Sequence, residues 1–177
     1  MAESALVVFV PEAESLLSRI RKTHEYLASL VMPAHITLLY PFKDPDKIDK
    51  AVRQALTRYF RTIPRFRFSL TRTGRFPGVL YLVPEPSEPF LHLIEGLCNL
   101  YPEHPPYGGA YARVLPHLTV AEAPDEDQLR EITTAFKRDC AGVLPVEVSV
   151  SEVWLVVNRE GCWSRAYSFH LGAPTPQ

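Results

Sequence analysis

Cysteine is scarce in this chain, and neither sign of charge is in excess. Three cysteines (Cys98, Cys140 and Cys162) occur among 177 residues, an odd number with no Cys-x-x-Cys spacing. This usage argues against a disulfide framework and is typical of free thiols in a reducing compartment. The formal net charge is −1, which argues against a protein that binds polyanions through its overall charge.

Long hydrophobic runs are missing too. No apolar stretch approaches the roughly 20 residues that a membrane-spanning helix needs. The N-terminal apolar run has no basic region before it and stops at Pro11, so we predict no signal peptide. We therefore expect a cytoplasmic protein with no membrane segment. Apolar residues make up 46% of the chain and aromatic residues 11%, which is sufficient for one globular domain with a buried core.

One segment lacks acidic residues altogether. Residues 51–84 contain no Asp or Glu but seven arginines. A one-sided basic region of this kind can attract a ligand that carries phosphate. A solvent-exposed helix face is the other interpretation, above all for Arg53, Arg58 and Arg61. The sequence leaves both open.

The chain contains an internal repeat. Residues 6–20 (LVVFVPEAESLLSRI) are echoed by residues 79–97 (VLYLVPEPSEPFLHLIEGL), each with an apolar run, Val-Pro-Glu and a helical segment. Both copies continue with a His-x-Thr phrase, a helix that begins near a Pro-Asp pair, and an alternating strand, at 65–73 and 146–157. Each half therefore has the order strand, helix, strand, helix, strand.

This order predicts an α+β fold, with one domain over residues 1–177. The repeats, roughly 5–75 and 78–157, would form two lobes related by a pseudo-twofold axis, and a C-terminal hairpin would cover 151–172. Two mostly antiparallel sheets would then surround a central cleft, with the helices outside.

The most informative part of the repeat is a phrase that occurs twice. His35-Ile-Thr-Leu matches His117-Leu-Thr-Val, and on a strand residues i and i+2 point to the same face. The histidines and the threonines Thr37 and Thr119 would therefore converge on the cleft from opposite sides. A lone copy is more often an ordinary half-buried strand, but a second copy at the equivalent position of a repeat favours catalysis.

Two opposed imidazoles suit in-line displacement at phosphorus. The reaction needs a base on one side and an acid on the other, and histidine serves either role near neutral pH. Threonine hydroxyls can donate hydrogen bonds to the equatorial oxygens, where negative charge grows. No cluster of His, Cys and Asp has metal-ligand spacing, so we predict no metal and no other cofactor.

The motifs and their surroundings resemble the two-histidine (2H) phosphoesterase superfamily, in particular its 2′-5′ RNA ligase-like branch. The likeness extends over HITLLYPF, GVLYLVP, PPYGG…PHLTVAEA and the closing W…YSFHLG, in that order. It implies a bilobal, metal-independent phosphodiesterase that acts on 2′,3′-cyclic phosphates or 2′-5′ linkages in RNA ends or nucleotides. By the same resemblance His35 would be the proton donor, His117 the proton acceptor, and Thr37 and Thr119 the phosphate ligands.

Four further residues are candidates for substrate binding. Tyr40 follows the first motif and can stack on a base. Arg75 shares the polar face of the strand RFRFSLTRTGRF, which is either solvent or cleft floor, and is a candidate phosphate ligand. Tyr81 lies on the strand VLYLV, and Tyr107 lies in the insertion 101–113, where a lid or substrate loop would be placed.

Other aromatic residues and histidines are predicted to be structural. We expect Phe42, Trp154 and Trp163 to pack in the core or the hairpin. The remaining histidines have no partner in the repeat and are predicted to have structural or surface roles; they are His24, His92, His104 and His170.

Competing functions remain open at this point. A binding module would keep the cleft without turnover, and a ligase would join RNA halves through a 2′-5′ bond, as some members of the family do. The expected partners are RNA 3′ ends with a cyclic phosphate or small nucleotides, and the expected state is a monomer with no obligate protein partner.

Overall fold

The computed structural model describes residues 2–23 and 32–173, which form eight strands and four α-helices. The strands are β1 (Glu3–Phe9), β2 (His35–Leu39), β3 (Phe66–Phe76), β4 (Val79–Glu85), β5 (Leu118–Glu122), β6 (Val146–Val150), β7 (Glu152–Arg159) and β8 (Cys162–His170). The helices are α1 (Glu14–Thr23), α2 (Lys50–Thr62), α3 (Glu88–Leu100) and α4 (Glu126–Asp139).

All eight strands belong to one curled antiparallel sheet with the order β6-β3-β4-β5-β2-β1-β7-β8. The predicted α+β class is therefore confirmed, but the two predicted sheets are joined into one. The junction is the contact between β2 and β5, where Ile36 pairs with Leu118. The two His-x-Thr strands thus meet edge to edge at the centre of the sheet, with four strands in each half.

The halves of the sheet do not coincide with the sequence repeats. Strand β3 comes from the first repeat but pairs with β4 and β6, and β7 comes from the second repeat but pairs with β1. Each lobe therefore contains a strand from both 5–75 and 78–157. The predicted strand 146–157 is interrupted at Ser151, because β6 and β7 lie in different halves and the chain crosses between them there.

A single large hydrophobic core lies between the sheet and the helices. In β2, Ile36 and Leu38 are buried in this core, whereas His35 and Thr37 on the opposite face are half-buried. The helices contribute large buried side chains such as Phe60, Phe90 and Phe136. The helices therefore cover one face of the sheet and leave the His-x-Thr face open, as the period-2 pattern predicts.

Aspartates fix the starts of two helices. Asp49 accepts a hydrogen bond of 2.9 Å from the Val52 N–H, and Asp125 accepts one of 2.8 Å from the Gln128 N–H. Each satisfies a backbone donor that the first helical turn leaves unpaired. Phe42 lies in the core as predicted, 5% exposed and edge-on to Tyr101.

Candidate active site

A cleft of about 740 Å³ lies on the open face of the sheet, along the junction of its halves. His35, Thr37, His117 and Thr119 all line it. Its volume falls in the range of roughly 300–1,000 Å³ that small-molecule sites occupy. The structure therefore brings both copies of the repeated phrase to one site.

The antiparallel register arranges these four side chains as a square. With Ile36 opposite Leu118, the same register sets His35 against Thr119 and Thr37 against His117. The two histidines are then diagonal neighbours, which lie about 7–8 Å apart in an ideal antiparallel pair, with their Cβ atoms somewhat closer. A tetrahedral phosphate can enter such a gap with an imidazole on either side.

Each imidazole is held by an equivalent hydrogen bond to a backbone carbonyl. The Nδ1 of His35 lies 2.8 Å from the Pro33 carbonyl oxygen, and the Nδ1 of His117 lies 2.7 Å from the Leu115 carbonyl oxygen. Because a carbonyl only accepts, Nδ1 carries the proton in both rings. Each Nε2 is thus a base when its ring is neutral and a proton donor when its ring is charged.

The surroundings of His117 favour its neutral form. Its ring meets Phe76 edge-on at 5.1 Å and Tyr81 at 5.3 Å between centroids. Burial lowers the pKa of His117, although the hydrogen bond to Leu115 and the charge of Glu122 act in the opposite direction. An imidazole with a lowered pKa is unprotonated near neutral pH, as a general base must be.

Tyr81 packs against the His117 ring. It pairs with Thr119 across β4 and β5, and its ring stacks on Phe76 at 4.3 Å between centroids. On its other side it covers Gly74, where any Cβ would overlap the ring. Tyr81 therefore packs against His117, and at this place Phe76 lines the cleft whereas the predicted substrate residue Tyr81 does not.

The structure corrects the prediction for Arg75. A β-bulge between Leu70 and Arg72 inserts one residue in β3 and reverses its alternation. Beyond the bulge Arg75 pairs with the core residue Leu80 and points to the helix-covered side. Its guanidinium lies 2.6 Å from Glu126 at the start of α4. The same reversal turns Phe76 into the cleft, where the sequence pattern does not predict it.

Two tyrosines and one tryptophan form an aromatic end of the cleft, and Tyr40 lies at its centre. Its ring lies 6.5 Å from that of Tyr107 and 6.1 Å from that of Trp163, edge-on in both cases. Its hydroxyl donates to the Glu3 carboxylate at 3.1 Å. Burial raises the pKa of Tyr40 and of Tyr107, so both phenols stay neutral. The sequence predicts Trp163 in the core or the hairpin, but its side chain lines the cleft.

The insertion 101–113 borders the same end of the cleft. Besides Tyr107, it contributes Tyr111 and Arg113 to the lining. Arg113 and Glu122 are not among the predicted residues. Arg113 lies in an insertion without periodicity. Glu122 faces the cleft because a register shift between β4 and β5 reverses the alternation after Thr119. Of the cleft-lining residues within 2–23 and 32–173, Arg113 is the one arginine or lysine.

The arginines of the basic segment 51–84 lie away from this site. In the described part of the chain none of its seven arginines lines the cleft. Arg53 packs on the Tyr167 ring at 4.6 Å, and Arg72 pairs with Glu85 at 3.1 Å. The solvent-exposed helix face fits Arg58 and Arg61, which are exposed on α2, whereas Arg53 is half-buried.

The other described histidines do not line the cleft. His92 is exposed on α3, and His104 packs beside Phe42. His170 is exposed, 3.9 Å from Glu152, and His24 lies outside the described residues. Across 2–23 and 32–173 no three His, Cys, Asp or Glu side chains are grouped to hold a metal ion. Nor does any helix in these ranges have the length and apolarity to cross a membrane.

Comparison with known families adds a decisive observation. Residues 9–161 match the family model described as the 2′-5′ RNA ligase superfamily. The chain belongs to this superfamily. The family predicted from the motifs is therefore confirmed, and the match includes both His-x-Thr phrases. No curated protein sequence matches the chain significantly.

Solved structures of similar fold accompany this superfamily match. TT0787 of Thermus thermophilus is 22% identical with a TM-score of 0.60, over 97% of this chain and 98% of that one. Apo LigT of E. coli is 16% identical with a TM-score of 0.61, over 96% and 97%. LigT complexed with 3′-AMP has a TM-score of 0.57 at 16% identity, over 97% and 98%. The likeness shows a shared fold along nearly the full length.

Proposed function

We propose that this protein is a phosphodiesterase that hydrolyses 2′,3′-cyclic phosphates on RNA 3′ ends or nucleotides, with two histidines as acid and base and no metal. The observation that carries the proposal is the paired arrangement on β2 and β5. Each imidazole is fixed through Nδ1 by a backbone carbonyl, and each histidine lies opposite the threonine of the other phrase. Acid and base thus have equivalent positions on two sides of one phosphate.

Proton transfers follow from the state of each ring. His117, neutral because burial lowers its pKa, accepts a proton at Nε2 from water as the water oxygen attacks phosphorus. His35, in its charged form, donates the Nε2 proton to the ribose oxygen as the bond from phosphorus to that oxygen breaks. One water is consumed, the ring opens to a phosphomonoester and a free hydroxyl, and proton exchange with solvent resets both rings.

Threonine hydroxyls and a modest positive charge fit the proposed substrate. Thr37 and Thr119 would donate hydrogen bonds to the non-bridging oxygens, where charge increases in the transition state. A cyclic phosphodiester carries one negative charge, which matches a cleft with Arg113 and one protonated histidine better than a polyphosphate would. We assign Tyr40, Tyr107 and Trp163 to contacts with the nucleobase of the substrate. The structure of LigT with 3′-AMP supports a nucleotide ligand.

The test is turnover in the presence of EDTA. We would assay 2′,3′-cyclic AMP and a short RNA that ends in a cyclic phosphate, with wild type, His35→Ala and His117→Ala. Each substitution should lower kcat/KM at least about a hundredfold, because each removes a general acid or base. His92→Ala is the matched control, an exposed histidine on α3, and should leave kcat/KM unchanged.

The other outcomes separate the alternatives. A wild type that binds the nucleotide without turnover would identify a binding module. Loss of activity with EDTA would contradict the metal-free mechanism. RNA halves that end in cyclic phosphate and 5′-hydroxyl, added to the same assay, report joining, which is the reverse use of the two histidines.

Size-exclusion chromatography of the same proteins tests whether the protein is a monomer, as expected. Fractionation of cells tests the expected cytoplasmic location.

A further inference from the structure

The open face of the sheet continues past His35 onto neighbouring strands. Phe9 on β1 pairs directly with His35 on β2, so both side chains are on the same face. On the next strand Trp154 pairs with Val7, a cleft-lining residue. On β8, Arg165 pairs with Val156, which clusters with Val7 and Trp154. One face therefore extends from the catalytic residue to Arg165.

Three side chains form a compact group at this end. The rings of Phe9 and Trp154 are 6.1 Å apart between centroids. The Arg165 guanidinium carbon lies 4.2 Å from the Phe9 centroid and 5.0 Å from that of Trp154. We refer to these residues as the Arg165 subsite. Because the Phe9 and His35 centroids are 6.5 Å apart, the guanidinium is within about 11 Å of the imidazole.

The subsite has the chemistry of a nucleotide site. These residues border a depression of about 230 Å³, which Glu12 and Glu152 also line. Trp154 is held in place because its Nε1 donates to the Glu152 carboxylate at 3.0 Å. Among residues 2–23 and 32–173 no carboxylate is close enough to Arg165 to form an ion pair. A stacked guanidinium keeps its N–H edges available for a phosphate, and aromatic rings bind bases by stacking.

We propose that the Arg165 subsite binds the nucleotide that precedes the cyclic phosphate in an RNA strand. Its base would stack against Phe9 and Trp154, and Arg165 would contact the backbone phosphate. The inference rests on the proposed function, and it names the substrate class: an RNA 3′ end, in preference to a mononucleotide. The subsite is continuous with the catalytic face, and Arg165 supplies a positive charge for a phosphate.

The experiment compares two substrates in one assay. We would measure kcat/KM for 2′,3′-cyclic AMP and for the dinucleotide ApA that ends in a 2′,3′-cyclic phosphate. In wild type kcat/KM should be higher for the dinucleotide than for the mononucleotide. Arg165→Gln and Trp154→Leu should each lower the ratio of the dinucleotide value to the mononucleotide value about tenfold. Arg53→Gln is the matched control, because it removes an arginine stacked on Tyr167 on the other face, and it should keep the wild-type ratio.

Distinct results refute the subsite and the function. Equal ratios in wild type and Arg165→Gln would overturn the subsite while leaving the phosphodiesterase intact. An absence of turnover with both substrates would overturn the proposed function instead. In either case, fluorescence anisotropy with a 5′-labelled cyclic-phosphate dinucleotide tests the subsite without chemistry, in a His35→Ala background. Binding should weaken about tenfold on adding Arg165→Gln, and unchanged binding would overturn the inference; circular dichroism verifies that each variant is folded.

Discussion

Gly74 lies opposite Tyr81 in the β3–β4 pair, and the tyrosine ring covers the space that a side chain at 74 would need. A Cβ at this position would overlap ring atoms of Tyr81. The ring cannot simply turn away, because it stacks on Phe76 at 4.3 Å and lies 5.3 Å from the His117 ring. Gly74→Ala should therefore push an aromatic ring against the proposed base.

The effect of Gly74→Ala on the free energy of unfolding should change sign between wild type and Tyr81→Ala. In the wild type, overpacking should lower the free energy of unfolding by about 1–3 kcal/mol. The backbone at Gly74 has no left-handed strain, so alanine itself is acceptable there. In Tyr81→Ala the overlap disappears, and Gly74→Ala should then stabilise by about 0.5–1 kcal/mol because glycine is the weaker strand residue. The coupling between the two sites is thus about 1.5–4 kcal/mol.

Urea denaturation of the four proteins in this cycle measures the coupling. Wild type, both single variants and the double variant should unfold with similar dependence on urea, so that differences in midpoint report stability. The same proteins give kcat/KM, which should fall in Gly74→Ala because the displaced ring crowds His117. A cost for Gly74→Ala that is equal in both backgrounds would refute the packing argument.

Two further predictions concern the pH profile and a helix cap. Because burial lowers the pKa of His117 from 6.5, the acidic limb of kcat/KM should be centred below pH 6.5, and Phe76→Ala should move it to higher pH by admitting water; a limb that stays in place would contradict the assignment. Asp125→Ala should cost about 0.5–2 kcal/mol in urea denaturation because it removes the α4 cap, whereas the exposed Asp127→Ala should cost less than about 0.5 kcal/mol.

The four motif residues in the cleft are predictable because they obey alternation. His35 and Thr37 face the cleft because Ile36 and Leu38 are apolar and enter the core, and the same rule holds for Thr119 between Leu118 and Val120. The alternation of apolar and polar residues is a local property, so it can be recognised in a single sequence. The repeat then adds the long-range information that the two strands serve one site.

The residues that escape prediction depend on non-local features. The bulge after Leu70 has no sequence signature in this strand, yet it moves Arg75 out of the cleft and Phe76 in. Trp163 lies on β8, which is next to β7 and two strands from β1 in the sheet. This strand order brings its side chain to the cleft, and the sequence alone does not reveal the order. Arg113 belongs to an irregular insertion, where no periodicity constrains the direction of a side chain.

The hydrophobic core itself holds the catalytic arrangement in register. Ile36 and Leu118 are both 0% exposed and pair at the junction of the two halves. A slip of one residue in either strand would bring the histidine and threonine of that strand into the core and expose its leucine or isoleucine. Burying an unpaired imidazole and hydroxyl costs free energy, and exposing the apolar side chains adds to that cost. The burial that stabilises the centre of the sheet therefore also keeps the two imidazoles facing the same cleft.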